Sequence, residues 1–231
     1  MSFALQGISS MATRQVLADL AAAWQARSGV SLQIESVGGV DAAKRVQAGE
    51  AFDVVILASD AIDKLIASGH AVANSKVDLV LSSTAVAVPA GAPVPDISTE
   101  EALRAAVLAA PTIGFSTGPS GVALQKLLER WGLAEQLKDR MVQARPGVPV
   151  GASVAQGDVA LGFQQLSELI HVQGITIVGN MPAAVAIDTI FSGAVVTGSA
   201  HADAVREALA FMASEAAEEA KRKQGMAPAP V

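Results

Sequence analysis

Three times in succession an apolar segment runs into a loop of small residues and then into an amphipathic helix, an order that leaves few folds open. Residues 3–8 read as a strand, and Ser9-Ser10 follow. Val16, Leu17, Leu20 and Trp24 then recur at helical spacing in a helix over 11–27 that Ser28-Gly29 ends. Residues 30–37 alternate apolar and polar side chains as a half-buried strand does. Gly38-Gly39 breaks the strand, and a helix over 40–48 follows. Residues 52–57 are a buried strand by composition, and Ser59-Asp60 opens a helix over 61–68 with Asp60 as its candidate cap. Successive β-loop-α units of this kind build a parallel sheet wrapped by helices.

Further along, two long apolar β segments, 78–88 and 184–196, bracket a portion with strands and helices of its own. Ser98-Thr99-Glu100-Glu101 is a helix start with acids in the first turn. A strand over 112–115 feeds the loop 116–121 and a helix over 122–131, for which Ser120 is the candidate N-cap. A short helix over 150–156 leads to a strand over 159–163, and Gln164-Gln165 reads as the start of another helix. Residues 175–178 are a strand, 202–211 and 215–223 are helical, and 226–231 read as a loose tail. The simplest topology is α/β with two lobes: 1–82 plus 187–231 form lobe I, and 83–186 form an inserted lobe II. Two chain crossings then make a hinge, and the cleft between lobes is where a small ligand is expected.

Composition narrows the function. Apolar residues make up 51% of the 231, which is ample for a core, and the net charge of −6 argues against nucleic acid, as does the lack of any basic cluster larger than Lys221-Arg222-Lys223. Aromatic residues are 3%, too few for base-stacking platforms. There is no cysteine, which excludes disulfides and thiolate metal sites. His70, His171 and His201 are scattered without ligand spacing, and no HExxH, no GxSxG and no Walker lysine occurs, so no metal or cofactor is expected. No apolar run reaches the ~20 residues that span a bilayer. The strand that follows Met1 leaves two locations open: cytoplasmic if Met1 is native, periplasmic if a signal peptide has been removed. In the second case a membrane permease is the expected partner. No surface seam is evident, so a monomer is expected.

The polar residues that follow strands carry the chemistry. Ser9-Ser10, Gly38-Gly39, Ser116-Thr117-Gly118-Pro119-Ser120-Gly121, Val150 and Gln164 all fall after a strand or at a helix N-terminus. Ligands gather at the carboxyl ends of strands in α/β sheets, and helix N-termini present N–H groups and a positive dipole end. These loops are small, neutral and rich in donors, which suits a carboxylate or oxyanion. Ser9, Ser10, Gly38, Gly39, Ser116, Thr117, Ser120, Gly121, Val150 and Gln164 are the candidate ligand contacts. Arg145, Lys44, Arg45 and Arg14 are candidate cations, against the alternative of solvated surface charge. Catalytic residues are not identifiable; Asp41 or Asp60 would serve as a base only if desolvated.

Ser9-Ser10-Met11, the run Ala48-Gly49-Glu50-Ala51-Phe52-Asp53-Val54-Val55-Ile56, and Gly157-Asp158-Val159-Ala160-Leu161-Gly162-Phe163 before Gln164-Gln165 occur in an order that resembles the molybdate-binding-protein-like branch of the type 2 periplasmic binding proteins. The resemblance spans nearly the whole chain. It implies two α/β lobes, a two-strand hinge and an anion held by neutral donors, with Ser10, Gly39, Ser120 and Val150 where donors would be expected. Molybdate-binding members usually carry a tyrosine where this chain has Gln164, and the chain has no tyrosine. The run from Gly162 to Leu169 is similar to a divergent subgroup of this fold. Aconitate isomerase, an enzyme built on the same scaffold, belongs to the superfamily. The resemblance therefore implies a solute-binding protein for a small anion, or an isomerase of a small polycarboxylate.

Overall fold

The computed structural model describes residues 3–231. Two compact units partition the chain. One comprises Met1–Ser82 with Ile190–Val231, the other Ser83–Thr189.

In the first unit β1 (Ala4–Ser10) is followed, after one 3-10 turn, by α1 (Arg14–Ser28), which Gly29 ends in the left-handed conformation at φ 73°. Then come β2 (Ser31–Val37), α2 (Gly39–Gln47), β3 (Val54–Ala58) and α3 (Ser59–Ala67). β1 pairs in parallel with both β2 and β3, as the repeated β-loop-α pattern requires. The strands run one or two residues later than their apolar segments suggest, and helices α2 and α3 start inside the loops expected to cap them. Asp60 is accordingly no cap. It lies exposed in the first turn, 3.7 Å from Lys64.

β4 (Val77–Pro89) carries the chain into the second unit. There α4 (Glu100–Ala109) is capped by Thr99, whose hydroxyl accepts from the Ala102 N–H at 3.1 Å. β5 (Ile113–Phe115), α5 (Pro119–Arg130), the short α6 (Ala134–Leu137) and β6 (Met141–Gln143) follow. After them come α7 (Val150–Ala155), β7 (Leu161–Gln165), α8 (Leu166–Leu169) and β8 (Ile175–Asn180). β5 lies parallel to β6 and β7, and β4 is antiparallel to β7 and β8.

Two expectations are corrected in this unit. α5 begins at Pro119 rather than at 122, because proline with its fixed φ suits the first helical position, so Ser120 is the second helical residue and Gly118 the cap. β7 extends to Gln165, so Gln164 and Gln165 end a strand instead of starting a helix; both are buried, and Gln165 Nε2 donates to Thr189 Oγ1 at 3.2 Å. Gly162 lets α7 lie close on β7. A Cβ there would come within 2.5 Å of Val154 and 3.2 Å of Val150.

β9 (Asp188–Val195) returns the chain to the first unit and pairs antiparallel with β3. The strand starts later than the apolar segment from 184, whose first residues form a 3-10 turn at Ala183–Val185. Helices α9 (Ala202–Ala213) and α10 (Glu218–Lys223) follow. The expected loose tail is instead structured. Met226 is buried in the core, and β10 (Ala227–Pro228) pairs with β4 at Val80 and Leu81. The physical reason is the apolar side chain of Met226, whose burial is worth roughly 1.5–3 kcal/mol and draws the last strand onto the sheet edge. In the first unit Leu5, Leu17, Leu20, Phe191, Leu209 and Met212 share one core cluster and Ile8, Val55, Leu57 and Ile62 another. The second unit's largest cluster gathers Leu103, Ile113, Leu124, Leu128 and Phe163.

Candidate functional site

In the first unit the parallel ladder brings the ends of β1 and β2 side by side, with Ser9 opposite Ser36 and Ser10 opposite Val37. Ser9 is fully buried, its hydroxyl 2.8 Å from that of Ser36 and donating to the Ser10 carbonyl at 3.2 Å. Ser9 is thus engaged within the fold. Ser10 is different. It is 8% exposed, and its hydroxyl is buried with no hydrogen-bond partner among the described residues. An unpaired buried hydroxyl costs about 1–3 kcal/mol, so a ligand acceptor placed there recovers that loss.

Gly39 stands next to Ser10. A Cβ on Gly39 would lie 3.7 Å from the Ser10 Cβ. Gly39 opens the nine-residue α2, whose N-cap Gly38 supplies no side-chain hydrogen bond. The first N–H to be taken up within the helix is that of Ala42, by the Gly38 carbonyl. The preceding N–H groups point from the positive end of the helix dipole. Ser10, Gly38 and Gly39 are therefore brought together as a neutral donor cluster.

In the second unit the loop after β5 consumes much of its own capacity. The Gly118 N–H donates to Ser116 Oγ at 3.2 Å, and the N–H groups of Gly121 and Val122 donate to the Gly118 carbonyl at 3.1 and 3.2 Å. Gly121 is needed for close approach: a Cβ there would fall 1.7 Å from the Ser116 carbonyl oxygen. The hydroxyls of Ser116 and Ser120 are 3.1 Å apart. One of their two protons joins them, which leaves the other to donate outward. Thr117 is exposed and Ser120 buried.

The Val150 side chain is buried with those of Val154 and Val159. Beside it the Gly151 N–H donates to Gln164 Oε1 at 3.4 Å, so the structure joins the expected contacts at 150 and 164 through a neighbour. Glu168, four residues on, has a half-buried carboxyl. Burial pushes it up to about 7, against a smaller lowering by the neighbouring Gln164 side chain. Glu168 is the residue that sequence reading missed. The signal is an acid four residues after Gln164, which the sequence reading takes as part of a helix start.

The candidate cations are ion-paired or exposed, Arg14 among the exposed. Arg45 donates to Glu35 at 2.7 Å and to Glu50 at 2.8 Å, and lies 5.3 Å over the Phe52 ring. The two carboxylates raise its basicity further, and it holds both of them below the usual carboxylate range. Lys44 and Arg145 are exposed. Asp41 and Asp60 are exposed as well, so neither is a desolvated base. Among the described residues no group of three or more His, Asp or Glu is placed to hold a metal, and no helix is long and apolar enough to cross a membrane. A shallow depression of about 370 Å³ around Phe3 and His201 includes none of the candidate residues.

Comparison with known proteins places this chain. It is 40% identical over 230 residues to an aconitate isomerase from a Pseudomonas species, spanning 96% of this chain and 87% of that protein. Its structure is similar to the periplasmic molybdate-binding protein of Azotobacter vinelandii, with a TM-score of 0.80 at 20% identity, covering 98% of this chain and all of the other. It is also similar to the sulfate-binding protein of Mycobacterium tuberculosis, with a TM-score of 0.78 at 17% identity over 97% of this chain and 86% of that one. At such identities these two likenesses establish the fold, a two-lobed type 2 periplasmic-binding-protein fold of mixed α/β class. Residues 5–227 match the family described as bacterial extracellular solute-binding proteins, and the chain belongs to that family.

Proposed function

We propose that this protein binds a small anion, a carboxylate or oxyanion, through neutral hydroxyl and backbone donors. The observation that carries the reading is Ser10: a buried hydroxyl without a partner, set beside Gly39 at an uncapped helix N-terminus. Within the second unit, the Ser116–Ser120 hydroxyl pair keeps one proton to donate, a separate feature of similar chemistry. Neutral donors suit an anion that must also be released, because no full charge is buried with it. The oxyanion ligands named for the structural relatives agree with this donor chemistry. If the chain is exported, a membrane permease is its partner. Isothermal titration with molybdate, sulfate and trans-aconitate tests the reading: at least one should bind, and binding should weaken in Ser10→Ala. Failure of all three to bind would overturn it.

A second reading is favoured by the 40% identical aconitate isomerase. In it the same donors hold a tricarboxylate while a proton moves along the allylic system. One C–H bond breaks at the methylene carbon, one forms at the far alkene carbon, and the double bond shifts between them with no net oxidation. Such a site stabilises the dienolate-like charge with preorganised donors. Proton NMR of cis- or trans-aconitate incubated with the protein decides: interconversion establishes the enzyme, and binding without interconversion leaves the solute-binding reading.

A further inference from the structure

We propose that Thr84 holds one carboxylate of a polycarboxylate ligand, at a distance from the Ser116–Ser120 pair that a tetrahedral oxyanion does not span. The inference rests on the anion-binding reading above and deepens it, because it names a contact that separates polycarboxylates from oxyanions.

Thr84 lies on β4 within the second unit. It is 1% exposed, and its backbone is fully engaged: the N–H donates to the Ile187 carbonyl at 2.9 Å, and the carbonyl accepts from the Met181 N–H at 3.1 Å. Its hydroxyl is buried with no hydrogen-bond partner among the described residues. The residue opposite, Gln165, turns its amide nitrogen to Thr189 Oγ1 at 3.2 Å instead. Valine has the same β-branched shape and suits a strand equally well, so packing gives no reason for a hydroxyl here.

This hydroxyl shares an edge and a face of the sheet with the Ser116–Ser120 pair. Side chains alternate along a strand, and the ladder sets Thr84 against Gln165 and Val86 against Phe163, so all four lie on one face. α5 covers that face, because Val86 and Phe163 pack in one cluster with Leu124, Leu127 and Leu128. Ser120 is one turn before Leu124 on α5 and is also buried, so it too faces the sheet. β5 and β7 run parallel with Gly114 against Gly162, so their carboxyl ends lie together, where ligands gather in α/β sheets. Ser116 follows the end of β5, Gln165 closes β7, and Thr84 stands beside Gln165. From β5 across β7 to β4 is two strand spacings, about 10 Å.

A tetrahedral anion held by the serine pair leaves Thr84 unpaired. A ligand with two carboxyl groups separated by a short carbon chain reaches both, and each carboxylate accepts one hydroxyl proton. Ile187 and Thr189, which are bonded to Thr84 and to Gln165, are partly exposed and leave a route from solvent.

The test titrates sulfate and trans-aconitate calorimetrically into the wild type, Thr84→Val and Thr84→Ser. Thr84→Val should weaken trans-aconitate about ten- to a hundredfold and leave sulfate within about twofold. Thr84→Ser keeps the hydroxyl and should retain most of the wild-type affinity. Thr84→Val should melt no lower than the wild type, which separates lost affinity from lost fold. Should it not fold, Thr84→Ala gives the same contrast with Thr84→Ser. Unchanged trans-aconitate affinity without the hydroxyl, an equal loss for both anions, or a wild type that binds sulfate alone would overturn the proposal while the anion-binding reading stands. If only trans-aconitate binds, the contrast between Thr84→Val and Thr84→Ser decides. If neither probe binds the wild type, the anion-binding reading fails and the proposal with it.

Discussion

Ser10 shows how one atom separates a site from a fold. Its hydroxyl contributes nothing to the packed state and is buried at a cost. Ser10→Ala should leave stability unchanged or raise it by about 1 kcal/mol, while anion affinity falls about tenfold, by calorimetry and thermal melts. Ser120→Ala removes a hydroxyl that does have a partner, Ser116, so it should cost roughly 0.5–1.5 kcal/mol of stability in addition to any affinity. Gly121→Ala places a methyl 1.7 Å from a carbonyl oxygen. The loop must shift, and a loss of about 1–3 kcal/mol or more is expected in denaturant melts. Glu168 adds a pH dependence whose sign is opposite to the usual carboxylate. Its folded value near 7 lies above its ordinary 4.5, so the native state binds more protons between these two values. Stability should therefore be greatest at the acid end of that window and decline as pH rises through about 7, by on the order of 3 kcal/mol. Glu168→Gln should abolish the decline, as urea melts at pH 5 and pH 8 would report.

Among the elements, the helix N-termini differ in what closes them. α4 has Thr99 as a conventional side-chain cap. Thr99→Ala should cost about 1 kcal/mol with no effect on anion binding. α2 and α5 have glycine caps without side-chain hydrogen bonds; α2 follows β2, which ends at Val37, and α5 follows β5, which ends at Phe115. That contrast between a satisfied and an unsatisfied terminus was partly legible in the sequence. Thr99-Glu100-Glu101 and Gly38-Gly39 are different signals. It was not legible for α5, where Ser120 looked like a cap and Pro119 set the true start. β10 is a second element-scale lesson. Removing 226–231 exposes the site of Met226 and frees the edge of β4, so a truncated chain should melt lower, with a loss of about 2–5 kcal/mol.

For the whole molecule, the first unit is assembled from both ends of the chain. Its core cluster joins Leu5, Leu17 and Leu20 to Phe191, Leu209 and Met212. A fragment ending at residue 189 should therefore lack a cooperative melting transition for that unit, measured by circular dichroism. The intact protein should be stabilised by its ligand by about 2.7 kcal/mol at a concentration one hundred times the dissociation constant, read as a thermal shift that chloride does not reproduce. The sequence by itself determined the parallel β-loop-α order, the two long chain-crossing strands, the neutral donor loops and the absence of cysteine chemistry. These follow from local periodicity and from residue type. Only the tertiary structure decided which of the donors are already spent. Ser9 and Ser10 are neighbours of identical chemistry, yet the ladder sets Ser9 against Ser36 and leaves Ser10 unpaired. It also decided that Glu168 is desolvated, since burial is set by how the segments pack and not by residue type.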